Sequence, residues 1–271
     1  MTQDTVTFTV GGAAAIPYRA ALGQVADEYK IRFEQDGLRA RVLDPANVLM
    51  AQGRLDPGIT GTYVDDPDSV AAMGMADKQF KKPLRAANKG RGGDDGSALT
   101  VAFDHGKRRV NVGFQKAVDG VTINHSYEWS ALDPDFIRAD AELPELDLPG
   151  DAEVPRKAFV EALKQFSNAK DTERVVFEID DTTLLMRCES DDTDTNLSID
   201  GVAHVDPGAD KPVSSMFSTD FLTQMRKGVE AVKPDNVRLE LGRDFPMKWH
   251  FSRPDVGIEL TYMLAPRVEQ D

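Results

Sequence analysis

The order of strand-like and helix-like segments occurs twice in this chain, and that repeat constrains its fold more than any single motif. Alternation in Thr5-Val-Thr-Phe-Thr-Val10 suits a half-buried strand. Residues 13–27 read as a helix with Ile16, Ala20 or Ala21, and Val25 on its apolar side. Pro17 is expected in the first turn, where its missing N–H costs little. Strand-like runs follow at 29–35, 38–43 and 48–55, the first two joined by a tight turn at Asp36-Gly37. A short run at 69–75 leads to a helix near 78–89. Strands near 98–103, 108–115 and 121–131 close the half, with turns at His105-Gly106 and Asp119-Gly120. The second half restates this order. A helix near 156–169 carries apolar Phe159, Leu163 and Phe166, and strands follow at 174–180, 183–189 and 194–199. A run at 213–217, a helix at 219–231 and strands at 236–242, 246–252 and 257–264 complete it. The letters agree little beyond Ile16-Pro-Tyr-Arg-Ala-Ala against Val154-Pro-Arg-Lys-Ala-Phe, so what is duplicated is the order of elements. The expectation is an α+β chain of two similar domains, 1–132 and 151–271.

Between them, residues 133–150 are rich in Pro, Asp and Glu, with Leu143, Leu146 and Leu148 interspersed. The segment has no regular period and X-Pro steps near its end, so an extended, exposed connecting strap is expected. It reads equally as a plain linker and as a binding strap.

A chain of 271 residues with 41% hydrophobic content can bury proper cores. No run approaches the roughly 18 apolar residues of a membrane span, and Met1-Thr-Gln-Asp lacks the basic start of a signal peptide. The lone Cys188 excludes an internal disulfide. These features fit a soluble, cytoplasmic protein.

The net charge of -14 argues at first against nucleic acid. The distribution argues the other way. The four helical segments (11–27, 77–91, 155–170 and 218–233) hold 14 Lys and Arg against 5 Asp and Glu, a balance of +9 that leaves -23 on the rest. A uniform acidic coat would not segregate charge like this; helices facing a polyanion would. On the second helix Phe80, Leu84 and Ala87 form the packing stripe, and Lys78, Lys81, Lys82, Arg85 and Lys89 occupy the remaining surface. Arg156, Lys157, Lys164 and Lys170 lie on the third helix, and Arg226, Lys227 and Lys233 on or just after the fourth. Each face taken alone also reads as a solvated helix surface. No aromatics interleave with these cations and no helix carries the Asn, Gln and Arg set for base edges, so the contacts expected are sequence-independent ones to phosphates.

Catalytic signatures are missing from the sequence. It has no Gly-x-Ser-x-Gly elbow, phosphate-cradling Gly-x-x-x-x-Gly-Lys loop or His-Glu-x-x-His motif, and His105, His125, His204 and His250 are scattered. Asp192-Thr-Asp-Thr-Asn196 starts like a calcium loop, but Leu197 stands where Gly is required and the bidentate Glu is missing, so an acidic hairpin is the better reading. Gly90-Arg-Gly-Gly-Asp-Asp-Gly96 follows a helix instead of opening one and reads as a connection. No catalytic residue, metal or cofactor is expected.

Several stretches carry a family resemblance. They are Val42-Leu-Asp-Pro-Ala-Asn-Val48, Leu132-Asp-Pro-Asp-Phe-Ile with Leu146-Asp-Leu-Pro149, Phe217-Ser-Thr-Asp-Phe-Leu222, and Leu239 to Phe251 followed by Leu260-Thr-Tyr-Met-Leu-Ala-Pro-Arg-Val268. Together they resemble the sliding clamp family (proliferating cell nuclear antigen), particularly archaeal, haloarchaeal or archaeal-virus members, over essentially the whole chain. The resemblance implies antiparallel sheets outside and helices inside, with three chains closing head to tail into a ring around duplex DNA. It implies a clamp loader of the replication factor C type and docking of DNA polymerase, ligase and nuclease through short peptide motifs. Carried over by matching motif, the partner pocket would use Leu43, Asn47, Val48 and Met50, Leu143 and Pro144 from the strap, Pro246, and Met263, Leu264, Ala265 and Pro266. The strand near 121–131 of one chain would pair with that near 193–199 of the next. The resemblance places the protein on the nucleoid, in replication and repair.

The chain departs from the family pattern in two places. Pro83 would kink the second helix or force a start near Lys81, and the Gly90–Gly96 insertion is longer and more glycine-rich than the pattern, with Lys107-Arg108-Arg109 adding basic charge away from the helices. The acidic exterior suggests a high-salt cell, where the Debye length falls to about 3 Å at 1 M salt and phosphate affinity collapses; a topological link survives that. Two other readings compete with the ring. One is a clamp-like adaptor or checkpoint subunit that does not close alone; the other is an enzyme with an acidic metal site around Asp191–Asp194.

Overall fold

The computed structural model describes residues 5–34, 37–56, 72–88, 98–138, 144–168, 173–188 and 194–267. The chain clusters into two units, the first comprising Met1–Leu43, Gln52–Ala141 and Arg253–Glu259, the second Asp44–Ala51, Glu142–Ser252 and Leu260–Asp271.

In the first unit, β1 (Thr5–Val10), β6 (Leu99–Asp104), β7 (Arg109–Val118) and β8 (Val121–Ser130) form an antiparallel sheet in the order β1-β6-β7-β8. Threonines of β1 face outward while Val6, Phe8 and Val10 are buried, as the alternation requires. Asp119 and Gly120 both take positive φ (49° and 80°) in the β7–β8 turn, the pair of left-handed residues a two-residue hairpin demands. A second group pairs β2 (Glu28–Glu34) with β3 (Gly37–Leu43) on one side and β5 (Met73–Ala76) on the other, and β4 (Leu49–Leu55) lies beside β3. The expected turn residue Asp36, and the run before Ala72, lie outside the described residues. Phe33 joins the two groups, its ring 5.6 Å from Phe8 and 6.4 Å from Phe103.

Two helices complete this unit, α1 (Gly12–Leu22) and α2 (Asp77–Asn88). The expected helix over 13–27 ends five residues early. Gly23 caps it, and Val25, which fits the helical period, is buried from a turn instead. Because α1 starts at Gly12, Pro17 falls beyond the first turn and is buried. Pro83 likewise sits inside α2, which begins at Asp77 and not near Lys81. Its ring is buried with Phe80, Leu84 and Ala87, so apolar burial offsets the lost backbone hydrogen bond. Phe80 meets Trp129 of β8 edge-on, centroids 4.9 Å apart. The Lys107–Arg109 run is absorbed locally: Lys107 pairs with Asp104, Arg108 with Asp133 and Arg109 with Glu128. Leu132 N donates to Gly74 O at 3.1 Å, and a Cβ on Gly74 would stand 2.3 Å from the Leu132 carbonyl oxygen, which explains the glycine in β5. Beyond Leu132 the strap opens with a 3₁₀ turn, Pro134–Phe136, capped by Asp133.

The second unit repeats the plan. One sheet runs β12 (Thr195–Asp200), β11 (Thr183–Cys188), β10 (Arg174–Asp180), β14 (Val213–Ser218). The other runs β13 (Ala203–Val205), β9 (Gly150–Pro155), β15 (Asn236–Leu241), β16 (Met247–Arg253), β17 (Ile258–Leu264). Three-residue β13 has no counterpart in the sequence-based expectation. Helices α3 (Arg156–Asn168) and α4 (Thr219–Val232) complete it. Phe159 of α3 stands edge-on to Trp249 of β16 at 4.8 Å, and both are fully buried. Gly228 brings α4 onto β17, since a Cβ there would lie 1.9 Å from the Tyr262 hydroxyl oxygen. Burial pushes the Tyr262 phenol well above its ordinary pKa.

Candidate functional site

On α2 the packing stripe turns Phe80, Leu84 and Ala87 inward, so Lys78, Lys81, Lys82 and Arg85 are left exposed. The Lys82 ammonium lies 5.7 Å from the Tyr127 ring centroid. Arg19 of α1 pairs with Asp77 at the start of α2, both largely buried. Between the two helices a cleft of about 530 Å³ is lined by Ile16, Arg19, Lys81, Leu84, Arg85 and Asn88. Lys89 lies outside the described residues.

The helix pair of the second unit treats its cations differently. Arg156 ties the start of α3 to the chain beyond α4: its Nε donates to Pro234 O and its backbone N to Asp235 O, both at 2.9 Å. Lys157 and Lys227 are exposed. Lys164 and Arg226 converge on Glu230, with Nζ–Oε1 at 3.4 Å and Nη1–Oε2 at 2.8 Å. The Arg226 side chain is only 12% exposed. Glu230 was not singled out from the sequence, where an acid on a basic helix reads as solvated surface.

The residues expected to form a partner pocket lie, apart from Leu43 at the end of β3, in the second unit. Their framework is the turn after Leu43. Buried Asp44 accepts from the backbone N of Ala46 (2.7 Å), Val48 (2.6 Å) and Leu49 (2.7 Å), and Asn47 takes φ 61°. The turn presents Asn47 exposed and Val48 half-buried, with Met50 buried beneath. The tail then docks on it, Ala265 N donating to Val48 O at 2.9 Å. Met263, Ala265 and Pro266 are half-buried, while Leu264 is fully buried. Pro246 is half-buried in the β15–β16 turn. Pro144 is exposed, its carbonyl accepting from Lys248 Nζ at 3.0 Å; Leu143 lies outside the described residues. The sequence reading missed Phe245, a large aromatic 52% exposed beside Pro246. Gly242 lies under it, and a Cβ there would stand 2.9 Å from Leu148 Cδ2 of the strap.

Among the described residues, each unit's first sheet ends in a strand with one unpaired edge, β8 in one and β12 in the other. Val118, Val121 and Ile123 are exposed near the β7–β8 turn. Long edges with apolar side chains are templates for pairing with another chain. Among the described residues no group of three or more His, Cys, Asp or Glu could hold a metal ion, and no helix is long and apolar enough to cross a membrane. Of the acidic segment expected to form a hairpin, residues 191–193 lie outside the described residues.

Comparison with known proteins places these features in a family. The chain is 30% identical over 249 residues to a DNA polymerase sliding clamp of Haloarcula marismortui, covering 91% of this chain and 92% of that one. It is 30% identical over 253 residues to the DNA polymerase sliding clamp of Methanothrix thermoacetophila, covering 93% of each. A structure of A. fulgidus PCNA bound to the C-terminal region of FEN-1 superposes with a TM-score of 0.78 at 21% identity, covering 98% of this chain and all of that one. No family model matches the chain.

Proposed function

The chain belongs to the DNA polymerase sliding clamp family, and we propose from that membership that three copies close into a ring around duplex DNA. As a processivity factor it performs no chemistry of its own; it raises the number of nucleotides its polymerase adds per encounter by denying the enzyme escape. The observation that carries this reading is the segregation of charge, with exposed cations gathered on the helices of a chain whose net charge is -14. A helix face of this kind attracts the phosphate backbone without reading bases, which leaves the ring free to slide. Lys78, Lys81, Lys82, Arg85, Arg156, Lys157 and Lys227 are the proposed DNA-facing set; Lys164 and Arg226, expected in it, are engaged by Glu230. Ring closure would join β8 of one copy to β12 of the next, adding main-chain hydrogen bonds to two open edges.

The turn at Asp44, the docked tail and the β15–β16 turn support a front-face pocket for a short partner peptide. Half-buried Val48, Pro246, Met263, Ala265 and Pro266 supply apolar walls, and an aromatic anchor on the partner would fill them. The A. fulgidus protein is seen with a FEN-1 segment; for this chain, polymerase, ligase and nuclease peptides are proposed, with a replication factor C-type loader and a place on the nucleoid. Primer extension on a closed circular template tests the whole reading. With loader and polymerase, added protein should lengthen products, and Val48→Asp should abolish the gain while leaving the ring intact. Product lengths indifferent to the protein would refute it.

A further inference from the structure

The helix pairs of the two units differ in a way that bears on how DNA is held. On α2, Lys78 and Lys82 are four residues apart, as are Lys81 and Arg85, so each cation has a like-charged neighbour on its own face. The run also begins at the positive end of the helix dipole, where cations are disfavoured. Among the described residues none of the chain's carboxylates pairs with these four; Asp77, the nearest in sequence, pairs with Arg19. Arg19 at the same time lines the cleft into which Lys81 and Arg85 project, together with Asn88. A concentration of unneutralised charge beside a concave, partly apolar cleft is a seat for an anion that must come from outside. In the second unit the equivalent step is already complete internally: Glu230 takes both Lys164 and Arg226.

We propose that the α1–α2 cleft of the first unit seats a DNA phosphodiester through Lys81 and Arg85, and that Glu230 withholds Lys164 and Arg226 of the second unit from the same task. The duplex is therefore held unevenly, one phosphate seat per chain, with the second unit's helix pair acting as a lower-affinity surface past which the backbone slides. The proposal rests on the reading of the chain as a DNA-encircling clamp and refines which of its cations do the holding.

The test is the salt dependence of binding to a short blunt fluorescent duplex, read by anisotropy on the intact protein. Each phosphate contact contributes about 0.9 to the slope of log affinity against log salt. With one seat lost from each of three chains, Lys81→Ala/Arg85→Ala should lower the slope by roughly 3 (about 0.9 per seat), Lys164→Ala should leave it unchanged, and Glu230→Gln should raise it as released cations find phosphates. All four substituted side chains are exposed or half-exposed, and circular dichroism checks that the fold survives. The proposal is overturned if Lys164→Ala lowers the slope as much as the Lys81/Arg85 pair does, or if all variants share the wild-type slope. Failure of the clamp reading looks different: wild-type protein would then show no loader-dependent retention on a closed circular duplex, whatever the slopes.

Discussion

In the first unit α1 and α2 meet with a proline inside each helix and an open, basic cleft between them. In the second, α4 lies so close to β17 that only glycine fits at position 228, and the helices share an ionic link through Glu230. One order of elements has thus been used for two purposes. Where the helices are loosely joined, cations stay free and a ligand can enter; where they are tightly joined, the same residue types serve the protein itself. Charge counts along a sequence do not separate these cases. The position of one carboxylate does.

The largest effect should come from the cores. Trp249 is fully buried against Phe159, so Trp249→Ala should cost about 3–5 kcal/mol. Trp129, half-exposed against Phe80, should cost roughly half that in the corresponding variant. Equal losses in urea unfolding would erase the proposed difference in tightness. Next, Gly228→Ala drives a methyl group into Tyr262 and should destabilise by about 1–3 kcal/mol, whereas alanine at Gly120, with nothing within 4 Å, should show only the smaller strain of its positive φ.

Asp44→Ala removes a buried carboxylate that holds three backbone N–H groups and should cost on the order of 2 kcal/mol. Because that turn carries Val48, a labelled partner peptide should also bind the variant more weakly; unchanged peptide affinity would separate the turn from the pocket. The smallest effect concerns pH. Hydrogen bonds from the Lys107 side chain and backbone hold the exposed Asp104 carboxyl below its ordinary pKa. A depressed carboxylate adds stability above the ordinary carboxylate range and loses it as pH falls through the lowered value. Asp104→Asn should therefore slightly flatten the acid limb of the first unit's stability profile. A steeper limb would contradict the assignment.

Much of this was legible in the sequence, for reasons that are local. The alternation in β1, the Phe80–Leu84–Ala87 stripe and the left-handed turn at Asp119-Gly120 each follow from the chain's own period or a backbone requirement met within a few residues. The end of α1 was not legible, since Val25 keeps the helical period while being buried from a turn. Pro83 misled because a proline's ring can be worth burying even where its N–H is missed. The pairing of Lys164 with Glu230 spans two helices, and Asp44 looks like any loop acid until its three donors are seen. Phe245 gives no periodic signal at all. The expected pocket residues were carried by motif resemblance, which placed Leu264 on a binding surface; the structure buries it.

The ring itself is tested most directly by the mass of the protein in solution, measured by light scattering at high and at low salt. The account predicts about three times the 29.8 kDa of a single chain, with the trimer favoured at high salt, where repulsion within an acidic assembly is screened. A stable monomer under both conditions would contradict encirclement and leave a clamp-shaped adaptor in its place.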